Sequence, residues 1–124
     1  MLLDTHILLW WLADDERLSK SASATITDPM TEVYVSVVSL WEMALKVGKS
    51  KLRADLEEIA EQIALTDFRM LAVEAHHVRA YARLPALHRD PFDRMLVAQA
   101  ITEPLRLLTH DRHLSPYSEL VILV

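Results

Sequence analysis

Apolar and polar positions along the 124-residue chain alternate between short solid apolar runs and longer runs broken at helical spacing. The solid runs are MLL at 1–3, VYVS at 33–36, FRML at 68–71, LRLLT at 105–109 and LVILV at 120–124. Their length and apolar, partly β-branched content predict strands. Only three residues precede Asp4, which is short for a strand. Between these runs, HILLWWLA (6–13), LSKSASATITD (18–28), SLWEMALKVGK (39–49), DLEEIAEQIAL (55–65), VEAHHVRAYARL (73–84) and PFDRMLVAQAIT (91–102) predict helices. Ser19 suits an N-cap and Gly48 a stop. Leu56, Ile59, Ala60, Ile63 and Ala64 form one apolar stripe. HDRHLSPYSE (110–119) predicts a loop with a turn or a short helix. Strands alternating with helices imply a mainly parallel sheet flanked by helices, because parallel strands need crossovers.

Composition narrows this picture. A chain of 124 residues with 52% hydrophobic content is expected to form a single domain, 1–124, with its own core. No cysteine is present, which removes disulfides and thiolate metal sites. No apolar stretch reaches the roughly 18 residues of a membrane span. No basic region precedes the first apolar segment, so no secretion signal is expected. The net charge of −5 argues against nucleic-acid binding across the whole surface, though not against a local basic rim. A single glycine leaves no room for a glycine-rich phosphate loop.

The acidic residues then carry the chemistry. In an open parallel sheet, ligands bind beyond the carboxyl ends of the strands. Asp4 follows the first strand, Glu42 lies near the start of the helix leaving VYVS, and Asp111 is two residues past Thr109. Asp93 is in the first turn of a helix whose N-terminus belongs at the same edge. Each has an ordinary explanation. Asp90-Pro91-Phe92-Asp93 reads as an N-cap, a proline at the first helical position and an acid in the first turn. Glu42 can pair with Lys46 four residues on, and Asp4 or Asp111 can close a turn. For Asp90 alone the cap is the favoured reading. Together the ordinary explanations fail, since unit charges ~4 Å apart repel by roughly 4 kcal/mol at an effective dielectric near 20. A divalent cation resolves that conflict. Oxygen ligands without cysteine favour Mg²⁺ or Mn²⁺, with some acids acting through water. Thr5, Ser39 and Thr109 adjoin these acids and are candidates to orient them or the waters; ordinary capping is the alternative.

The blocks LLDTHILLWW, SVVSLWEMALK, HRDPFDRMLVAQA and LLTHDRHL, in this order, resemble the PIN-domain ribonucleases of the VapC toxin type. The resemblance covers essentially the whole chain. It implies a three-layer α/β/α sandwich with a short, mainly parallel sheet, and an endoribonuclease dependent on Mg²⁺ or Mn²⁺. It matches the family's four acids to Asp4, Glu42, Asp93 and Asp111, and leaves Asp90 as a neighbouring cap. Asp4 and Asp93 are the expected direct ligands, with Glu42 and Asp111 completing the shell or placing water. The resemblance also implies cleavage by metal-activated water that leaves a 5′-phosphate and a 3′-hydroxyl. The resemblance further implies an RNA substrate, a VapB-type antitoxin, a homodimer, and a toxin–antitoxin role in a prokaryotic cytoplasm.

Other assignments compete with these. A phosphatase working through an aspartyl phosphate needs an acid where His6 stands. A receiver domain needs an acidic pair where Thr5-His6 stands and a lysine ending a late strand where Thr109-His110 stands. A non-catalytic pocket that docks a basic partner segment remains the alternative. Arg89, Arg94 and Arg112 flank the acids, and Lys46, Lys49, Lys51 and Arg53 form a basic stretch; RNA phosphate contact competes here with a solvated face. HILLWWLA is apolar nearly all round. Burial accounts for most of that, leaving Trp10 or Trp11 as a groove for a partner helix. His76, His77, His110 and His113 are weak zinc candidates and are expected to face solvent.

Overall fold

A computed structural model describes residues 1–49 and 55–124. Five parallel strands, β1 (Leu2–Leu3), β2 (Tyr34–Ser36), β3 (Arg69–Leu71), β4 (Leu107–Thr109) and β5 (Val121–Leu123), form one sheet in the order β3-β2-β1-β4-β5. The expected mainly parallel sheet is therefore parallel throughout. Among the described residues, six helices connect the strands: α1 (Thr5–Leu12), α2 (Lys20–Thr27), α3 (Val37–Gly48), α4 (Leu56–Ala64), α5 (Ala75–Arg83) and α6 (Pro91–Thr102). A 3-10 helix spans Arg112–Tyr117. The LSKSASATITD segment does start its helix on Ser19, whose side chain accepts from Ala22 N–H. Among the described residues, no helix is long and apolar enough to cross a membrane.

The three-residue start is a real strand, and it is the central one. β1 is only two residues long, yet it pairs with β2 through Leu2↔Tyr34 and with β4 through Leu2↔Leu107 and Leu3↔Leu108. Two residues suffice because both edges are occupied and both side chains are fully buried. Successive strand side chains point to opposite faces. Leu3 and Leu108 accordingly enter one core with Ile7, Leu8, Ile26, Met43 and Ile63, beneath α1 to α4. Leu2 and Leu107 enter the other with Leu96, Val97, Ala100 and Leu114, beneath α6 and the 3-10 helix. Helices on both faces make the expected three layers.

From β1 the chain builds outward to β2 and β3 on one side, then crosses to β4 and β5 on the other. The order reverses between β1 and β4, and the crevice at their carboxyl ends is where such sheets bind ligands.

Candidate active site

Asp4 leaves β1 and Asp111 follows β4, so both stand at that reversal. The register of Leu3 with Leu108 puts Asp4 level with Thr109. Thr109 Oγ1 donates to Asp4 Oδ2 at 2.5 Å and accepts from Asp111 N–H at 3.0 Å, so one hydroxyl ties the two acids. Asp4 also caps α1, its Oδ1 accepting from His6 N–H at 3.1 Å. Thr5 donates to Ser39 Oγ at 2.9 Å, both side chains buried, and this bond fixes α1 against α3 one turn before Glu42.

Glu42 is 2% exposed. Its Oε2 pairs with Lys46 Nζ at 2.7 Å, as the i,i+4 spacing anticipated. Its Oε1 is buried and has no hydrogen-bond partner among the described residues. An ionised carboxylate oxygen in that state lacks a donor or a cation, and burial without one is costly. Lys46 thus serves Glu42, and phosphate contact would require it to leave or share that bond.

Asp90 caps α6, accepting from Phe92 N–H at 2.8 Å and Asp93 N–H at 3.3 Å. The helix it starts presents Asp93 to the crevice. Burial first, and then the charges of Asp4, Asp90, Glu42 and Asp111, push the Asp93 carboxyl up from its ordinary 3.8 to about 8. The four acids matched in the sequence, with Asp90, therefore share one electrostatic neighbourhood. The Asp93 carboxylate forms no hydrogen bond among the described residues; His88 Nε2 lies 3.7 Å from its Oδ2.

Asp111 is held differently. Partial burial raises its pKa, but hydrogen bonds from His113 N–H, His88 and the His113 ring outweigh this and keep it below the usual carboxylate range. Oδ1 meets His113 N–H and Nδ1, both at 2.9 Å, and Oδ2 meets His88 Nε2 at 3.0 Å. His88, Asp93 and Asp111 offer ligand atoms all within 4.8 Å of one another. His88 opens the HRDPFDRMLVAQA block, where nothing in the sequence alone gives it a role. It lies in an irregular loop, where no periodicity points a side chain; its place two residues before a capping aspartate was the available signal.

The flanking cations separate. Arg89 and Arg112 are exposed. Arg94 is instead drawn onto α5, its guanidinium 4.6 Å from the Tyr81 ring centroid and donating to Leu84 C=O at 3.4 Å. Lys49 is exposed, while Lys51 and Arg53 lie outside the described residues. His110 and His113 face solvent as expected. His77 does not: it is 1% exposed, and its Nε2 lies 2.6 Å from Glu103 Oε2, which His76 Nε2 also meets at 2.8 Å. The expectation of a solvent-facing His77 fails because α5 turns that face onto α6, where Glu103 closes the helix. Trp10 and Trp11 are half-buried and line a cleft of about 720 Å³ with Asp14, Leu18, Lys20 and Thr27.

The arrangement suits a divalent cation. An unpartnered buried carboxylate oxygen, a neighbouring carboxyl held largely protonated by its surroundings, and oxygen donors without sulfur describe a hard, multiply charged ion. The family profile described as PIN domain matches residues 1–120. Over 125 aligned positions, covering 92% of this chain and 88% of the relative, the sequence is 31% identical to "Ribonuclease VapC22" of Mycobacterium tuberculosis. Among solved structures, a chain in the crystal structure of VapBC2 from Rickettsia felis, bound to a DNA fragment from their promoter, superposes with a TM-score of 0.70. It is 19% identical, with 99% of this chain and 96% of that one covered. A chain of FitAcB from Neisseria gonorrhoeae gives 0.65 at 17% identity, with the same coverage. At those identities the two structures attest the fold.

Proposed function

This chain belongs to the PIN-domain family, of VapC type, and from that premise we propose that it is a metal-dependent endoribonuclease acting as the toxin of a toxin–antitoxin pair. The observation that carries the reading is the convergence of Asp4, Glu42, Asp90 and Asp111 on Asp93, a carboxyl that burial first and those charges second lift to about 8. Asp93 and Glu42 offer the carboxylate oxygens that protein donors leave free, and Asp4 shares its second oxygen with Thr109. We assign Asp4 and Asp93 as direct ligands of Mg²⁺ or Mn²⁺, with Glu42 and Asp111 completing the shell or placing water. When bound, the ion supplies charge to the scissile phosphate and acidifies a water molecule for in-line attack on phosphorus.

The chain's own residues do the rest. Thr109 and His6 N–H fix the Asp4 carboxylate, Asp90 fixes the helix that carries Asp93, and Thr5 with Ser39 fixes the helix that carries Glu42. Arg89 and Arg112 stand exposed for phosphate contact. The docking-pocket alternative is less well supported. Acids that receive a basic arm have to be presented to it, and Asp4 and Glu42 are almost wholly buried.

The remaining partners follow from the family premise. A VapB-type antitoxin segment fits the cleft beside Trp10 and Trp11. A homodimer has an apolar face available in Val37, Trp41 and Leu45, successive turns of α3 that are all exposed. A prokaryotic cytoplasmic setting completes the proposal. The test is incubation of the purified chain with structured RNAs, with Mn²⁺, with chelator and with Asp93→Ala, followed by mapping of cut ends. Cuts bearing 5′-phosphates that need both the ion and Asp93 are expected. Cleavage indifferent to chelator overturns the reading.

A further inference from the structure

His88 lies in the loop between α5 and α6, beside the acid crevice. Its Nδ1 accepts the backbone N–H of Asp90 at 3.0 Å. A neutral imidazole has one donor and one acceptor nitrogen, so the ring proton belongs on Nε2. That Nε2–H points to Asp111 Oδ2 at 3.0 Å, with Asp93 Oδ2 beyond it at 3.7 Å. Two consequences follow. Nε2 lies within ligand distance of both acids but has no lone pair to offer, and Nδ1 cannot take up the proton without losing the Asp90 bond. His88 is therefore a donor to the centre and not a ligand in it. Second, Asp90 N–H fixes the ring while the Asp90 carboxylate caps the helix bearing Asp93. The HRD stretch, 88–90, thus sets both Asp93 and Asp111, which come from different elements.

Resting on the nuclease reading above, we propose that His88 is a positioning residue of the centre: through its Nε2–H it holds the Asp111 carboxylate at a fixed separation from Asp93, and so preorganises the site for the divalent ion. The ring donates to a carboxylate that faces the ion, as outer partners at metal sites do, and loss of such partners typically costs about 10–100-fold in metal affinity. His113 also donates to Asp111, but from an exposed ring on the other oxygen. It does not reach Asp93.

The experiment measures Mn²⁺ binding by electron paramagnetic resonance on the full chain, its His88→Ala variant and its His88→Gln variant. Imidazole ¹⁵N spectra of the unsubstituted chain are recorded with and without Mg²⁺. His88→Ala is expected to bind Mn²⁺ about 10–100-fold more weakly with an unchanged circular dichroism melt. His88→Gln, which restores an N–H donor on a side chain of similar reach, is expected to recover most of that loss. The ¹⁵N spectrum is expected to show the Nε2–H form of His88 in both states, a result that stands even if a variant folds poorly. Equal Mn²⁺ affinity in wild type and His88→Ala overturns the role of His88 alone. So does a His88 nitrogen that becomes metal-bound on adding Mg²⁺. An unsubstituted chain that binds no Mn²⁺ overturns the metal reading and this inference with it.

Discussion

Two clusters in this molecule use the same grammar of histidine and carboxylate, and only one of them is at rest. At the α5–α6 contact, His77 Nδ1 accepts Glu74 N–H at 2.9 Å while Nε2 meets Glu103, which His76 meets as well. At the crevice, His88 Nδ1 accepts Asp90 N–H while Nε2 meets Asp111. Around Glu103 two rings serve one carboxylate, and their hydrogen bonds hold it below the usual range. Around Asp93 burial and four other acids act on one carboxyl, and it is driven far above that range. The clasp is a finished structural joint. The crevice is a set of like charges that the protein's own donors do not balance, and that imbalance distinguishes a site from a strut.

The sharpest way to break the comparison is to remove one carboxylate from each cluster. Asp93→Ala is expected to abolish RNA cleavage with the fold retained, whereas Glu103→Ala leaves cleavage rates near those of the parent; a cleavage assay with circular dichroism reads both. Loss of activity in both variants would erase the distinction.

The next largest effect is the response of metal-free stability to pH. The folded-state value of Asp93 lies above its ordinary 3.8, so the native state favours the neutral acid. Stability from this group is full below about pH 4 and is lost as pH rises toward about 8, by an amount on the order of a few kcal/mol. Glu103 is depressed, so its contribution has the opposite sign: present above its ordinary value and lost as pH falls below it. Chelated protein should melt lower at pH 8 than at pH 5, Mn²⁺ should reverse the drop, and Asp93→Asn should flatten it. A melting temperature in chelator that rises steadily over that interval contradicts the assignment.

Truncating the clasp is a smaller perturbation. His77→Ala removes the buried ring that joins Glu74 to Glu103, and is expected to cost roughly 1–3 kcal/mol in denaturant unfolding, with Mn²⁺ affinity unaltered. Smallest of all, Arg89→Ala and Arg112→Ala should each weaken RNA binding about evenly across sequences and reduce its salt dependence by about one ion. Arg79→Ala, an exposed arginine on the helix of the clasp, serves as the control and should do neither.

Where local chemistry dictates position, the sequence was readable. PFDRMLVAQAIT is helical over Pro91–Thr102 because Asp90, Pro91 and the apolar run all specify the same start and course. Asp4, Asp90 and Asp111 proved to be both caps and members of the crevice. The two explanations weighed against each other are compatible, because in a parallel sheet helices begin where ligands bind. What sequence could not supply was pairing across distance. β1 shows no strand signal beyond two leucines, and its place is set by neighbours far along the chain. His77 looked like a surface residue because its partner Glu103 lies 26 positions away. Arg94 looked like a flank of the site because nothing local reveals the Tyr81 ring that holds it.

The Thr109–Asp4 bond joins residues 105 positions apart. Chains that depend on such remote pairings fold slowly, since a long loop has to close before the contact repays it. The strand at the middle of the sheet finds one of its two neighbours only when positions 107–109 have been made. A ribosome-bound chain therefore carries Asp4 without the threonine and aspartate that complete the crevice until that later segment emerges. Competence to cut arrives only with the second of the two segments.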